Sequence, residues 1–94
     1  MKTFIFYDIT NNKIRKKIVS LLLDYSFQRI QFSVFLGEKL DSGKEKEFLI
    51  KIKKIISSKD IFYLFNINDK NFNKFYIYNN IKKRRENNSS FLIY

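Results

Sequence analysis

Residues 3–9, Thr-Phe-Ile-Phe-Tyr-Asp-Ile, are rich in β-branched and aromatic residues and read as a strand. Alternation puts Phe4, Phe6 and Asp8 on one side and Thr3, Ile5, Tyr7 and Ile9 on the other. Both sides are largely apolar, so both need cover. Residues 60–67, Asp-Ile-Phe-Tyr-Leu-Phe-Asn-Ile, repeat the problem. A chain of 94 residues makes one compact domain. A domain of that size buries only about 60–65% of the surface its unfolded chain exposes. It cannot readily wrap two such strands on both faces by itself.

The remaining segments supply partial cover. Thr10, Asn11 and Asn12 can cap a helix. In the helix that follows, Ile14, Ile18, Leu21, Leu22 and Tyr25 recur at helical spacing and form one buried face. Residues 29–36, Arg-Ile-Gln-Phe-Ser-Val-Phe-Leu, alternate as a half-buried, edge-like strand. Ser42-Gly-Lys-Glu45 reads as a capping box opening a second helix to about Ser57, with Phe48, Leu49, Ile52, Ile55 and Ile56 inward. A weaker strand over 73–79, a polar stretch and a final Phe-Leu-Ile-Tyr complete the chain. The arrangement expected is α+β, a ferredoxin-like β-α-β-β-α-β fold with a short tail strand. Residues 60–67 serve in it as the third strand, central beside the first. Residues 1–80 form the domain and 81–94 a basic tail.

Helices cover one face of such a sheet. The other is expected to show Ile5, Tyr7 and Phe35, a patch too large to leave in water. Phe91, Leu92 and Ile93 of the tail are too few for an independent strand and must add to a sheet edge, in the same chain or a partner's. A two-fold dimer with facing sheets satisfies both needs.

Composition narrows the chemistry. Formal net charge is +10, which attracts nucleic acid first and anionic membrane second, although abundant Ile, Lys, Asn, Phe and Tyr also match AT-rich coding. There is no Cys and no His, so thiol, zinc-thiolate and imidazole chemistry are excluded. No apolar run approaches the ~20 residues of a bilayer span, and no signal peptide is visible, so a cytoplasmic, non-membrane protein is expected.

Asp8 ends the first strand just before a helix. Two readings stand beside each other. Asp8 accepts hydrogen bonds from the Thr10–Asn12 turn, or it is functional. One carboxylate is a poor magnesium site, but two from a symmetric dimer suffice for Mg2+ (or Mn2+), which keeps several waters. Lys13, Arg15, Lys16 and Lys17 crowd a helix N-terminus, where cations oppose the dipole, and an anionic partner such as phosphate offsets that. Lys82, Lys83, Arg84 and Arg85 form a second cluster suited to a phosphate backbone. Phe62, Tyr63 and Phe65 raise a rival, the RNA-recognition motif, but the Gly-flanked pattern of that motif is missing.

Phe-Tyr-Asp-Ile-Thr at 6–10, a basic helix and Arg-Ile-Gln-Phe-Ser-Val-Phe-Leu-Gly-Glu-Lys-Leu at 29–40 together resemble the small CRISPR-associated adaptation proteins, commonly called endoribonucleases. The resemblance runs over essentially the whole chain. It implies that Asp8 is the metal-binding acid facing its symmetry mate, and that Tyr7, Arg15 and Arg29 assist catalysis. It also aligns Phe35 with the family's second-strand phenylalanine. Phe32 stands where Tyr is usual, and Lys17 where some members have Arg, which keeps charge without the bidentate fork. The function implied is spacer acquisition: a homodimer that binds duplex DNA and/or single-stranded RNA, bridges the adaptation integrase and cleaves phosphodiesters. A non-enzymatic scaffold and the related virulence-associated toxin ribonucleases are the alternatives.

Overall fold

A computed structural model describes residues 1–74 and, beyond them, the strands at 77–78 and 92–93. The chain runs β1 (Lys2–Asp8), α1 (Asn12–Asp24), β2 (Gln28–Gln31), β3 (Val34–Glu38), α2 (Ser42–Ile55), β4 (Ile61–Ile67), α3 (Asp69–Phe72), β5 (Ile77–Tyr78) and β6 (Leu92–Ile93). β1–β4 form one antiparallel sheet in the order β2-β3-β1-β4. This is the expected β-α-β-β-α-β order, reached by a different division of the chain.

The segment read as one strand over 29–36 is two. It breaks at Phe32 and Ser33, and β2 turns back on β3 with a register shift between Arg29 and Gln31. β3 therefore takes the central place beside β1, with Phe35 opposite Ile5. Residues 61–67 become the fourth strand, at the sheet edge, pairing with β1 from Lys2–Ile67 to Asp8–Ile61. The strand expected at 73–79 is not in this sheet. Its residues 77–78 pair in parallel with the tail strand, Ile77 with Leu92 and Tyr78 with Ile93.

α1 and α2 lie on one face. Ile18 and Leu22 of α1 and Phe48 and Ile52 of α2 bury against Ile5, Tyr7, Ile9, Phe27 and Phe35. Ile5 and Phe35 are 0% exposed within the single chain. These residues were expected on the uncovered face, and the structure reverses the faces. With both sides of β1 apolar, alternation alone could not say which side the helices take. Ile5, Tyr7 and Phe35 are thus core, not dimer surface. Phe91 lies outside the described residues, and Leu92 and Ile93 are described only as backbone in β6.

The other face carries Phe4, Phe6 and Asp8 of β1 and Ile61, Tyr63, Phe65 and Ile67 of β4. Phe72 of α3 packs on Phe4 and Leu36 and covers one end. Tyr63 and Phe65 remain 62% and 51% exposed, and Phe6 and Ile61 lie beside them. The need for a second cover, inferred from the sequence, therefore falls on this set.

The caps follow local chemistry. Asn11 Oδ1 accepts from the Ile14 amide at 2.9 Å and opens α1. For α2 the cap is Asp41, not Ser42; its Oδ1 accepts from the Lys44 amide at 2.8 Å. Glu45 does not reach back to the helix start. It accepts from Asn66 Nδ2 at 3.2 Å, and Asn66 in turn accepts from the buried Thr3 hydroxyl, tying α2 to β4 and β1. Leu49, expected inward, is on the exposed side of α2, whereas Phe48 and Ile52 fill the core.

Candidate functional site at the end of the first strand

β1 delivers Tyr7 and Asp8 to the same end of the sheet but to opposite faces. Asp8 lies on the open face, exposed, opposite Ile61 of β4. Its carboxylate has no hydrogen-bond or ion-pair partner among the described residues. The turn-capping reading therefore fails: Asn11 does that work. Asp8 points away from the helices and is exposed. Its carboxylate is solvated and uncommitted.

Tyr7 is buried beneath the helices, its ring 6.2 Å from that of Phe35. Its hydroxyl donates to the Phe32 carbonyl at 3.3 Å, and its amide donates to the Ser33 carbonyl at 3.2 Å. Tyr7 fixes the β2–β3 turn and does not itself reach the open face.

Arg15 sits one turn into α1 and reaches back over the β1–α1 loop. Its guanidinium donates to the carbonyls of Ile9 at 3.0 Å and Thr10 at 3.4 Å, and to Asn12 Oδ1. These acceptors are neutral, so the positive charge stays uncompensated. Arg29, on the edge strand β2, is exposed and lies 5.2 Å from the Phe35 ring. Both guanidiniums stand 5.9 Å from the Phe32 ring. Neither forms an ion pair with a described residue. The structure thus brings Arg15 and Arg29 together around a residue noted in the sequence only as a departure from its usual family identity.

A groove of about 400 Å³ runs between α1 and this turn. Arg15, Lys16 and Arg29 charge it, and Val19, Leu23 and Phe32 give it an apolar wall. Lys13 and Lys17, four residues apart, share a different exposed side of α1 and do not line it. The first turn of α1 holds no acid to balance its cations. Lys82, Lys83, Arg84 and Arg85 lie outside the described residues.

Among the described residues no three His, Cys, Asp or Glu side chains gather into a metal site. Asp8 offers one carboxylate with free lone pairs, half of what a divalent cation held by two acids requires. The donor set would fit magnesium or manganese if a second copy brought its own Asp8. No described helix is long and apolar enough to cross a membrane.

The family described as CRISPR associated protein Cas2 matches residues 1–75. A CRISPR-associated endoribonuclease Cas2 of Desulforudis audaxviator is 32% identical over 60 residues, covering 64% of this chain and 56% of the relative. A CRISPR-associated endoribonuclease Cas2 2 of Chloroflexus aurantiacus is 43% identical over 37 residues, 39% of this chain and 44% of that one. The chain thus spans about half the length of these curated relatives. The crystal structure of Streptococcus pyogenes Cas2 at pH 6.5 superposes with a TM-score of 0.67 at 24% identity, over 79% of this chain and 93% of that one, a likeness of fold.

Proposed function

The chain belongs to the Cas2 family of CRISPR-associated proteins, and from that premise we propose that it works as a homodimeric adaptation subunit that binds nucleic acid, supports the adaptation integrase and cleaves phosphodiester bonds with a divalent metal. The observation that carries the catalytic part is the exposed carboxylate of Asp8 at the end of a central strand, without a partner among the described residues. A carboxylate with no structural task is available for one in solution.

Two copies pack their open faces together, so that Phe6, Ile61, Tyr63 and Phe65 leave water and each copy brings Asp8 to the shared side. Tyr63 and Phe65, at 62% and 51% exposure, support that packing. The two Asp8 carboxylates are the groups that would hold Mg2+ or Mn2+. When bound, such a metal would supply an acidified water and a Lewis acid for a phosphate oxygen. Arg15 and Arg29 place uncompensated charge where a phosphate backbone approaches. Arg15 also holds the loop following Asp8 through the Ile9 and Thr10 carbonyls, and Tyr7 holds the turn carrying Phe32. Lys13, Lys16 and Lys17 extend the positive surface along α1 for duplex DNA or single-stranded RNA. The names of the relatives, endoribonuclease in each case, support cleavage, and family membership supports the integrase as partner.

The test is cleavage of single-stranded RNA and of duplex DNA with magnesium, with chelator, and with Asp8→Ala. The expected result is cleavage that chelator stops and Asp8→Ala abolishes, with nucleic-acid binding retained. Unchanged cleavage by Asp8→Ala overturns the catalytic reading. Binding without any cleavage by the wild type leaves a scaffold alone.

A further inference from the structure

Phe32 sits in the turn between β2 and β3 and is 69% exposed. Turns favour Gly, Asn, Asp, Ser and Pro, each for a backbone reason, and a phenylalanine brings none of these. The contacts that hold this turn to β1 use the Phe32 and Ser33 carbonyls. They would survive any side chain at position 32. Folding therefore does not account for the ring.

Its surroundings suggest a task. The Arg15 and Arg29 guanidiniums lie 5.9 Å from the ring centroid, at the outer limit of cation–π attraction, about 6 Å. Both stand over the ring at that distance, and Phe32 still keeps most of its surface exposed. Lys16 adds a third cation to the same groove, and Val19 and Leu23 continue its apolar wall. An exposed aromatic ring among cations that form no ion pair with a described residue matches one chemical unit well, a flat base joined to a phosphate.

We infer that Phe32 is a stacking platform for an unpaired nucleobase of a single-stranded polynucleotide, with the adjoining phosphates on Arg29 and Lys16. This rests on the nucleic-acid-binding reading above and adds a preference to it. Bases inside a duplex are already stacked and paired, so only a single strand, a loop or a frayed end can engage the ring. The groove adjoins the β1–α1 loop through Arg15, so a strand held there passes close to the Asp8 end of the sheet.

The experiment uses Phe32→Trp, which introduces the only tryptophan of the chain, and Phe32→Ala. The exposed position lets both variants fold, which circular dichroism verifies. The probes are an eight-nucleotide oligo(dA), an abasic strand of the same length, a blunt, loop-free duplex of two G·C-rich strands and AMP. We expect oligo(dA) to quench the tryptophan emission and the abasic strand and duplex to leave it unchanged. Phe32→Ala should bind oligo(dA) about 5- to 150-fold more weakly than wild type, the range for one base–aromatic stack, and the abasic strand equally well. Equal quenching by the abasic strand, or undiminished binding of oligo(dA) by Phe32→Ala, overturns the stacking site while nucleic-acid binding stands. Quenching by AMP as strong as by oligo(dA) at equal concentration reassigns the groove to free nucleotides and overturns the polynucleotide proposal. If the wild type binds none of the strands, the nucleic-acid reading falls with it.

Discussion

Gly37→Ala is a sharp test of how the core is built. Gly37 lies in β3, opposite Thr3 of β1, with the Phe27 ring laid across it. A Cβ at position 37 would stand 2.6 Å from Phe27 Cδ1, 3.1 Å from Cε1 and 3.3 Å from Cγ. Non-bonded carbons settle at about 3.5–4.0 Å, so the ring must retreat by roughly 1 Å. It has nowhere to go. Phe27 is buried, and the Phe48 ring, itself fully buried, lies 5.6 Å away. Forcing a methyl group into a packed core costs about 1–3 kcal/mol, which outweighs the ~0.5–1 kcal/mol that alanine gains over glycine in a strand. In a domain of this size each kcal/mol moves the midpoint by about 4–8 °C. Thermal unfolding followed by circular dichroism should therefore show Tm falling by several degrees. Phe27→Leu clears the space, so the double variant should lose less than the sum of the two singles, with a coupling of about 0.5–3 kcal/mol. An unchanged or higher Tm for Gly37→Ala, or strict additivity, would refute the packing described.

Ser26 follows α1 with φ of 67°, the only non-glycine residue of positive φ among those described. Ser26→Gly should raise stability by about 0.5–1 kcal/mol in urea unfolding, because glycine adopts that backbone without a Cβ penalty. Asp8→Asn should leave unfolding within about 0.5 kcal/mol of wild type, since it breaks no contact with a described residue. Asn11→Ala should cost about 1 kcal/mol in the same assay through loss of the α1 cap. A large loss for Asp8→Asn and none for Asn11→Ala would return the capping task to Asp8.

Much of the fold was legible because the strong signals are local. β1 and β4 stand out as runs of branched and aromatic residues, and Ile18, Leu22, Phe48 and Ile52 mark the inner faces of the helices by spacing alone. The β2–β3 turn was not legible. Phe32 and Ser33 continue the alternation of Ile30 and Val34 and carry no Gly, Pro, Asn or Asp to mark a break. Missing that turn left one strand uncounted and moved 61–67 from edge to centre. Which face of β1 the helices cover was also invisible, since Phe4 and Ile5 are equally apolar; tertiary packing decides it. The motif carrying Asp8, Arg15 and Arg29 was readable as a set, but the convergence of both arginines on Phe32 depends on the unseen turn. The resemblance implied that Tyr7 assists catalysis; in the single chain its hydroxyl donates to the Phe32 carbonyl, a contact made by the same unseen turn.

The claim beneath the functional account is that two copies meet through the open face of the sheet, because one chain has a single Asp8 and its described residues leave Phe6, Tyr63 and Phe65 exposed. Sedimentation equilibrium at micromolar concentration, on wild type and on Tyr63→Asp, measures this directly. The account predicts twice the chain mass of 11.5 kDa for the wild type and the chain mass for a folded Tyr63→Asp. A wild-type protein that sediments as a single chain, or a Tyr63→Asp variant that stays paired, would contradict it.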